Sequence, residues 1–203
     1  QGLTIKVDEK TQADFFVGLP GQEQKKVFRG YVDRTSSPYR ARDKMADLMQ
    51  PVNQAFNNAL PQEVLNYVLQ RAGIGGAVLS PENFARKNYV AAAPSFYDLI
   101  LQVNEYWGVD YSGYFDLEGV FHWHRHEEPK TLPVFAYGEN IIRLDFDGQE
   151  GSFLTVLMPD VDHSRLIGLE HPDVPADEVL VDAVHHFTND QGGLRTEIYF
   201  SLL

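Results

Sequence analysis

Cysteine is absent from the 203 residues. That excludes disulfides, thiolate metal sites and a cysteine nucleophile. It leaves the compartment open. No apolar run approaches the roughly 18 residues that a bilayer span needs, so no membrane span is expected. No signal peptide is visible. The chain begins at Gln1, as a chain with a removed leader or a trimmed end would, so cytoplasmic and exported locations both stay open. Basic residues are scarce after residue 109. Residues 110–203 hold 5 Lys/Arg against 18 Asp/Glu, whereas residues 1–109 hold 12 and 11. The net charge of −12 therefore sits in the second half. An acidic surface repels phosphate backbones, so nucleic acid is not an expected partner. Solubility is the plain reason for such charge; a protein partner or a cation is the alternative. No GxSxG, HExxH or EF-hand pattern occurs. GIGGA at 73–77 lacks a following GK[ST] and reads as a helix C-cap and linker, not a phosphate loop.

What is present argues for a folded globule. Hydrophobic residues make up 43% and aromatics 12% of the chain, more than a disordered chain carries. A chain of this length can bury a core without covalent staples.

Three stretches follow one another. Residues 1–34 read as strands, LTIKV at 3–7 and KKVFRGYV at 25–32, with GLPGQ as a turn between them. Residues 36–107 read as helices. SSPYRARDKMADLM opens with Ser37 and Pro38, and PQEVLNYVLQRAG puts Val64, Leu65, Val68 and Leu69 on one face before Gly73. SPENFARKNYVAAA opens with Ser80, Pro81 and Glu82, and SFYDLILQVNEYWG runs from Ser95 to Gly108. Residues 110–203 read as β structure. IIRLDF and SFLTVLM flank DGQEG, and EVLVDAVHHFT and LRTEIYFSLL flank NDQGG. With LPVFAY and a histidine-rich strand, about six strands result, which suggests an antiparallel barrel or jelly roll.

All seven histidines lie after residue 109. Three fall in GVFHWHRHEE at 119–128. In an extended strand successive side chains alternate faces. Phe121, Trp123 and Arg125 then point one way, and His122, His124, His126 and Glu128 the other. Residues two apart are about 7 Å apart, so two imidazoles can converge on one ion. Neutral imidazole suits first-row metals, and a further carboxylate would complete a site with open positions for substrate. An exposed polar face is the plain alternative. Elsewhere, His185 and His186 are adjacent, so at most one faces an interior. His171 reads as a loop residue. Tyr111, Tyr114, Phe115 and Tyr137 read as core or pocket lining. Arg143 would clamp a carboxylate or pair with an acidic neighbour. Tyr137, Glu127 or a bound water could do acid–base work in a metal site.

At this strand the sequence resembles the cupin superfamily, whose small antiparallel barrel carries HxH, a later glutamate and a glycine, then PxGxxH on a later strand. Two registers are open. In WHRHEEPKTLPVFAYGE, His124 and His126 are the pair and Gly138 is the motif glycine, but Thr131 stands at the glutamate position. Alternatively His122 and His124 are the pair and Glu128 the carboxylate, with Gly138 three residues late. MPDVDH at 158–163 resembles the second motif, with His163 as the last ligand. The resemblance covers residues 119–163 and implies a metal site drawn from His122, His124, His126, Glu128 and His163. The metal would be divalent iron, zinc, manganese or nickel.

The expected fold is thus α+β. A cupin-like barrel or jelly roll occupies residues 110–203, and residues 1–109 form strands plus a helical extension packed against it, the two sharing one compact domain or forming two. The leading function is a metal-dependent enzyme on a small organic molecule, of oxygenase, isomerase or lyase type. The alternative is a non-catalytic binding protein with an acidic partner surface: a secreted factor, an immunity-type inhibitor or a virion component. A sugar-binding or sensory module is a further option. A small-molecule substrate or a protein partner is expected, and a homodimer is left open.

Overall fold

A computed structural model describes residues 8, 10–19, 21, 23–33, 40–109, 113–124, 132–188 and 191–203. The strand expected at 3–7 lies outside the described residues. The chain divides into two compact units, one from residues 1–15 and 28–125, the other from residues 16–27 and 126–203.

The first unit holds both α-helices found among the described residues. Helix α1 spans Pro61–Arg71 and buries Val64, Leu65, Val68 and Leu69. Proline suits its first position because that N–H would have no intrahelical partner. The Glu63 carboxylate accepts the Leu60 N–H at 2.8 Å, satisfying another terminal donor. After Ala72, Gly73 takes φ +76°, and Ile74 N–H reaches back to the Leu69 carbonyl at 2.8 Å. This is a left-handed helix stop, which glycine adopts without strain. Helix α2 spans Phe96–Trp107. The Ser95 hydroxyl caps it by accepting the Asp98 N–H, and Gly108 ends it at φ +71°. Its face of Phe96, Leu99, Ile100 and Val103 is buried. Each such side chain contributes about 1.5–3 kcal/mol relative to exposure.

The other regular elements described in this unit are mainly strands. β1 (Gln12–Val17), β2 (Lys25–Asp33) and β3 (Arg40–Arg42) form one sheet, in which β1 and β2 contribute to both units. β4 (Val52–Ala59) pairs antiparallel with β6 (Lys87–Ala93). β5 (Ala77–Leu79) runs parallel to β8 (Phe121–Trp123), which pairs antiparallel with β7 (Tyr114–Phe115). One core joins the helices to Phe115, Phe121 and Trp123.

The expectation of helices throughout 36–107 is therefore corrected. Asp43 caps only a single 3-10 turn, Lys44–Leu48. The Ser80 hydroxyl does accept the Glu82 N–H at 3.1 Å, but in a loop. Residues 87–93 are a strand because Tyr89, Ala91 and Ala93 are buried on one face while Val90 is 68% exposed. Alanine fits either period, and the pairing with β4 decided it.

The second unit is a six-stranded sheet in the order β10 (Ile141–Phe146), β11 (Glu150–Val156), β14 (Leu194–Ser201), β13 (Glu178–Thr188), β12 (Leu166–Glu170), β9 (Val134–Ala136). Both hairpins expected from the turn sequences are present, β10–β11 and β13–β14. Phe153, Val179, Val181, Ile198 and Phe200 line the inner face. The sheet is open among the described residues, and β9 joins β12 in parallel. A jelly roll with a helical extension is not the fold. Among the described residues, no helix is long and apolar enough to cross a membrane.

Candidate functional site

The histidine segment is built around a tight hairpin. β7 and β8 are joined through Asp116–Val120, with Gly119 at φ +76°. Asp116 organises the turn. Its carboxylate accepts the N–H groups of Glu118 and Val120, both at 2.9 Å, and Nε2–H of His122, also at 2.9 Å. Burial pushes the Asp116 carboxyl up, but His122 and the two amides outweigh it and hold it below the ordinary carboxylate range. The Lys44 ammonium donates to the Gly119 carbonyl at 3.1 Å. Arg29 forks onto Asp14 at 2.8 and 3.0 Å and reaches Glu118 at 3.2 Å.

His122 is 3% exposed. Its ring stacks on Tyr114 at 5.0 Å and 10° between planes. With Nε2–H given to Asp116, Nδ1 is an acceptor, and it has no partner among the described residues. Phe121 and Trp123 beside it are also buried, so both faces of β8 are covered. The expected polar face is absent for that reason.

The strand stops at Trp123. His124 takes φ +47°, a left-handed backbone that breaks the alternation. Its Nε2 bonds the Glu82 carboxylate at 2.9 Å, and its ring lies against Phe84 and Trp123. The two imidazoles thus go to different carboxylates. His126, Glu128, Thr131, Glu127, Arg125 and Tyr111 lie outside the described residues. His163 belongs to the second unit, between β11 and β12, with Nδ1 at 3.0 Å from the Ser164 hydroxyl. Among the described residues, no group of three or more His, Asp or Glu side chains could hold a metal ion.

The remaining candidates are occupied structurally. His171 Nδ1 accepts the Asp173 N–H at 3.2 Å, and its ring meets Tyr137 edge-on. Arg143 pairs with Asp145 and Glu197 at 3.2 and 3.3 Å. His185 is exposed, and His186 turns inward to Thr196. Two cavities occur. One of about 410 Å³ in the first unit is lined by Lys10, Tyr31, Asp33, Arg42, Asp43 and Asp47. One of about 290 Å³ in the second is lined by Met158, Asp160, Asp162 and Arg165 with apolar neighbours. Sequence reasoning passed over Asp116 and Thr196 and read Glu82 only as part of a helix start. Asp116 had a signal in Asp-x-x-Gly, a turn pattern between two aromatic strands. Glu82 and Thr196 had none.

No protein-family model and no curated protein sequence matches the chain. Solved structures do match its fold. The 43 kDa tail protein of prophage MuSo2 from Shewanella oneidensis superposes at a TM-score of 0.70 with 13% identity, over 98% of this chain and 83% of that one. A tail protein from Neisseria meningitidis MC58 gives 0.63 with 9% identity, over 93% and 83%. The Escherichia coli c3393 protein gives 0.61 with 13% identity, over 94% and 64%. It is a type VI secretion component with structural similarity to the T4 tail proteins gp27 and gp5. These likenesses overturn the cupin resemblance. With it goes the metal-dependent enzyme, and among the described residues His122 and His124 bond separate carboxylates. The chain shares its fold with these three proteins.

Proposed function

We propose that this chain is a structural subunit of a phage-tail-like particle, acting through protein contacts and not through chemistry on a small molecule. The observation that carries this is the fold likeness over nearly the whole chain to two tail proteins and a type VI secretion component.

A surface of the first unit supports it. Residues 50–62 contain no charge, in a chain that is 23% charged. They include β4, one of only two strands in its sheet among the described residues. Natural edge strands are protected by lysine, proline or bulges, and a two-stranded pair is marginal alone. Asn53, Gln54, Ala55, Asn57 and Asn58 are exposed, and Val90 lies opposite Ala55 on β6. The uncharged, amide-rich β4, bulged only near its end between Phe56 and Ala59, suits strand addition or sheet packing by another subunit. The outer face of the second unit's sheet adds exposed Val156 and Tyr199.

The test is genetic and visual. Cells lacking the chain should make particles with incomplete tails by negative-stain microscopy, and the wild-type chain should restore them. Complete, working particles without the chain would refute the proposal.

A further inference from the structure

We propose that His186, Thr196 and the backbone amide of Met158 form an acid-released latch that fastens the 157–163 segment to β14. This goes beyond the structural role above and does not depend on it.

The latch follows from counting donors and acceptors. Thr196 is fully buried on the inner face of β14. Its hydroxyl oxygen accepts the Met158 N–H at 2.9 Å. The same oxygen lies 2.9 Å from Nδ1 of His186, its cross-strand neighbour on β13. A threonine hydroxyl has one proton. Among the described residues, Nδ1 of His186 is the acceptor within reach of it. The chain therefore runs Met158 N–H to Thr196 O–H to His186 Nδ1. That order requires neutral His186 with its proton on Nε2.

Protonating Nδ1 reverses the last bond. Both Met158 and His186 would then donate to one oxygen, and the Thr196 hydroxyl proton would be stranded in a buried place. A stranded buried donor is costly. The half-buried imidazole can escape by turning towards water, which breaks the chain. The charges around it agree with this. Burial pushes the His186 pKa down first, and His185 adds like-charge repulsion. Asp162, on the latched segment, pulls the other way but is outweighed. Arg195 and Glu197 flank Thr196 on β14 but point to the opposite face. With the folded value depressed, the open form binds more protons as pH falls below the ordinary 6.5. The latch is therefore closed at neutral pH and released in acid.

What moves is bounded. The Ser164 N–H donates to Val181 O at 2.6 Å, and the Val181 N–H to Arg165 O at 2.9 Å. These ties do not involve His186 and hold the far end of the segment on β13. Met158, Asp160 and Asp162 also line the 290 Å³ cavity, so release changes its wall.

Nitrogen-15 NMR on the full chain tests this, with amide exchange corrected for the intrinsic pH effect. At neutral pH, His186 should carry its proton on Nε2. Protection of the Met158 amide should fall about ten-fold or more between about pH 8 and about pH 5, while that of Phe153 is kept. His186→Gln offers an untitratable acceptor and should abolish the change. Thr196→Val should expose the Met158 amide at every pH, and His185→Gln should leave the response in place. The idea is overturned by a neutral-pH proton on Nδ1. Equal acid loss of Met158 protection in His186→Gln, or steady protection while His186 titrates, also overturns it.

Discussion

Asp116 Oδ2 and His122 Nε2 lie 2.9 Å apart, and this bond closes a hairpin whose Glu118 and Val120 amides also bond Asp116. Asp116→Ala would strand two amides and the buried ring of His122. The expected loss is about 1–3 kcal/mol, the usual cost of an unpaired buried group. Urea unfolding should show it as a lower midpoint with an unchanged slope.

The same bond sets an acid dependence. The folded Asp116 value lies below the ordinary one, so its contribution is present above about pH 4 and is lost as pH falls through the folded value. Asp116→Asn should flatten that part of the stability profile.

His124 should matter less than His122. Its bond goes to an exposed carboxylate, and pairs of that kind contribute about 0–1 kcal/mol. Its backbone is left-handed, where glycine sits more easily. His124→Gly should therefore be near neutral in thermal unfolding, whereas His122→Ala should lower the midpoint by several degrees, as about 1 kcal/mol does in a chain of this size.

Helix α2 offers a core test. Leu99 is fully buried and Leu101 is 40% exposed. Leu99→Ala should cost about 2–5 kcal/mol, since it leaves a cavity. Leu101→Ala should stay within about 0.5 kcal/mol. Equal effects would contradict the assignment of the helix face.

The elements legible in the sequence were those with chemical punctuation. Ser95 and Gly108 marked α2, Pro61 and Gly73 marked α1, and DGQEG and NDQGG marked the two hairpins. Residues 87–93 were not legible, because Ala91 and Ala93 satisfy helix and strand alike and only β4 decides between them. The histidine segment misled for a different reason. Alternation assumes a strand that continues, and β8 ends at Trp123. The partner of His124 is Glu82, 42 residues away, which no local pattern announces.

The uncharged surface of β4 should be dispensable for folding but not for assembly. Ala55→Lys places a charge on an exposed strand and should change stability by no more than about 0.5 kcal/mol. Incorporation into particles should fall sharply in a co-expression assay. The most direct measurement is quantitative mass spectrometry of particles purified from cells that make this protein. A structural subunit should be present in a fixed number of copies per particle, and Ala55→Lys should reduce it. A chain that is expressed and folded yet absent from intact particles would contradict the account.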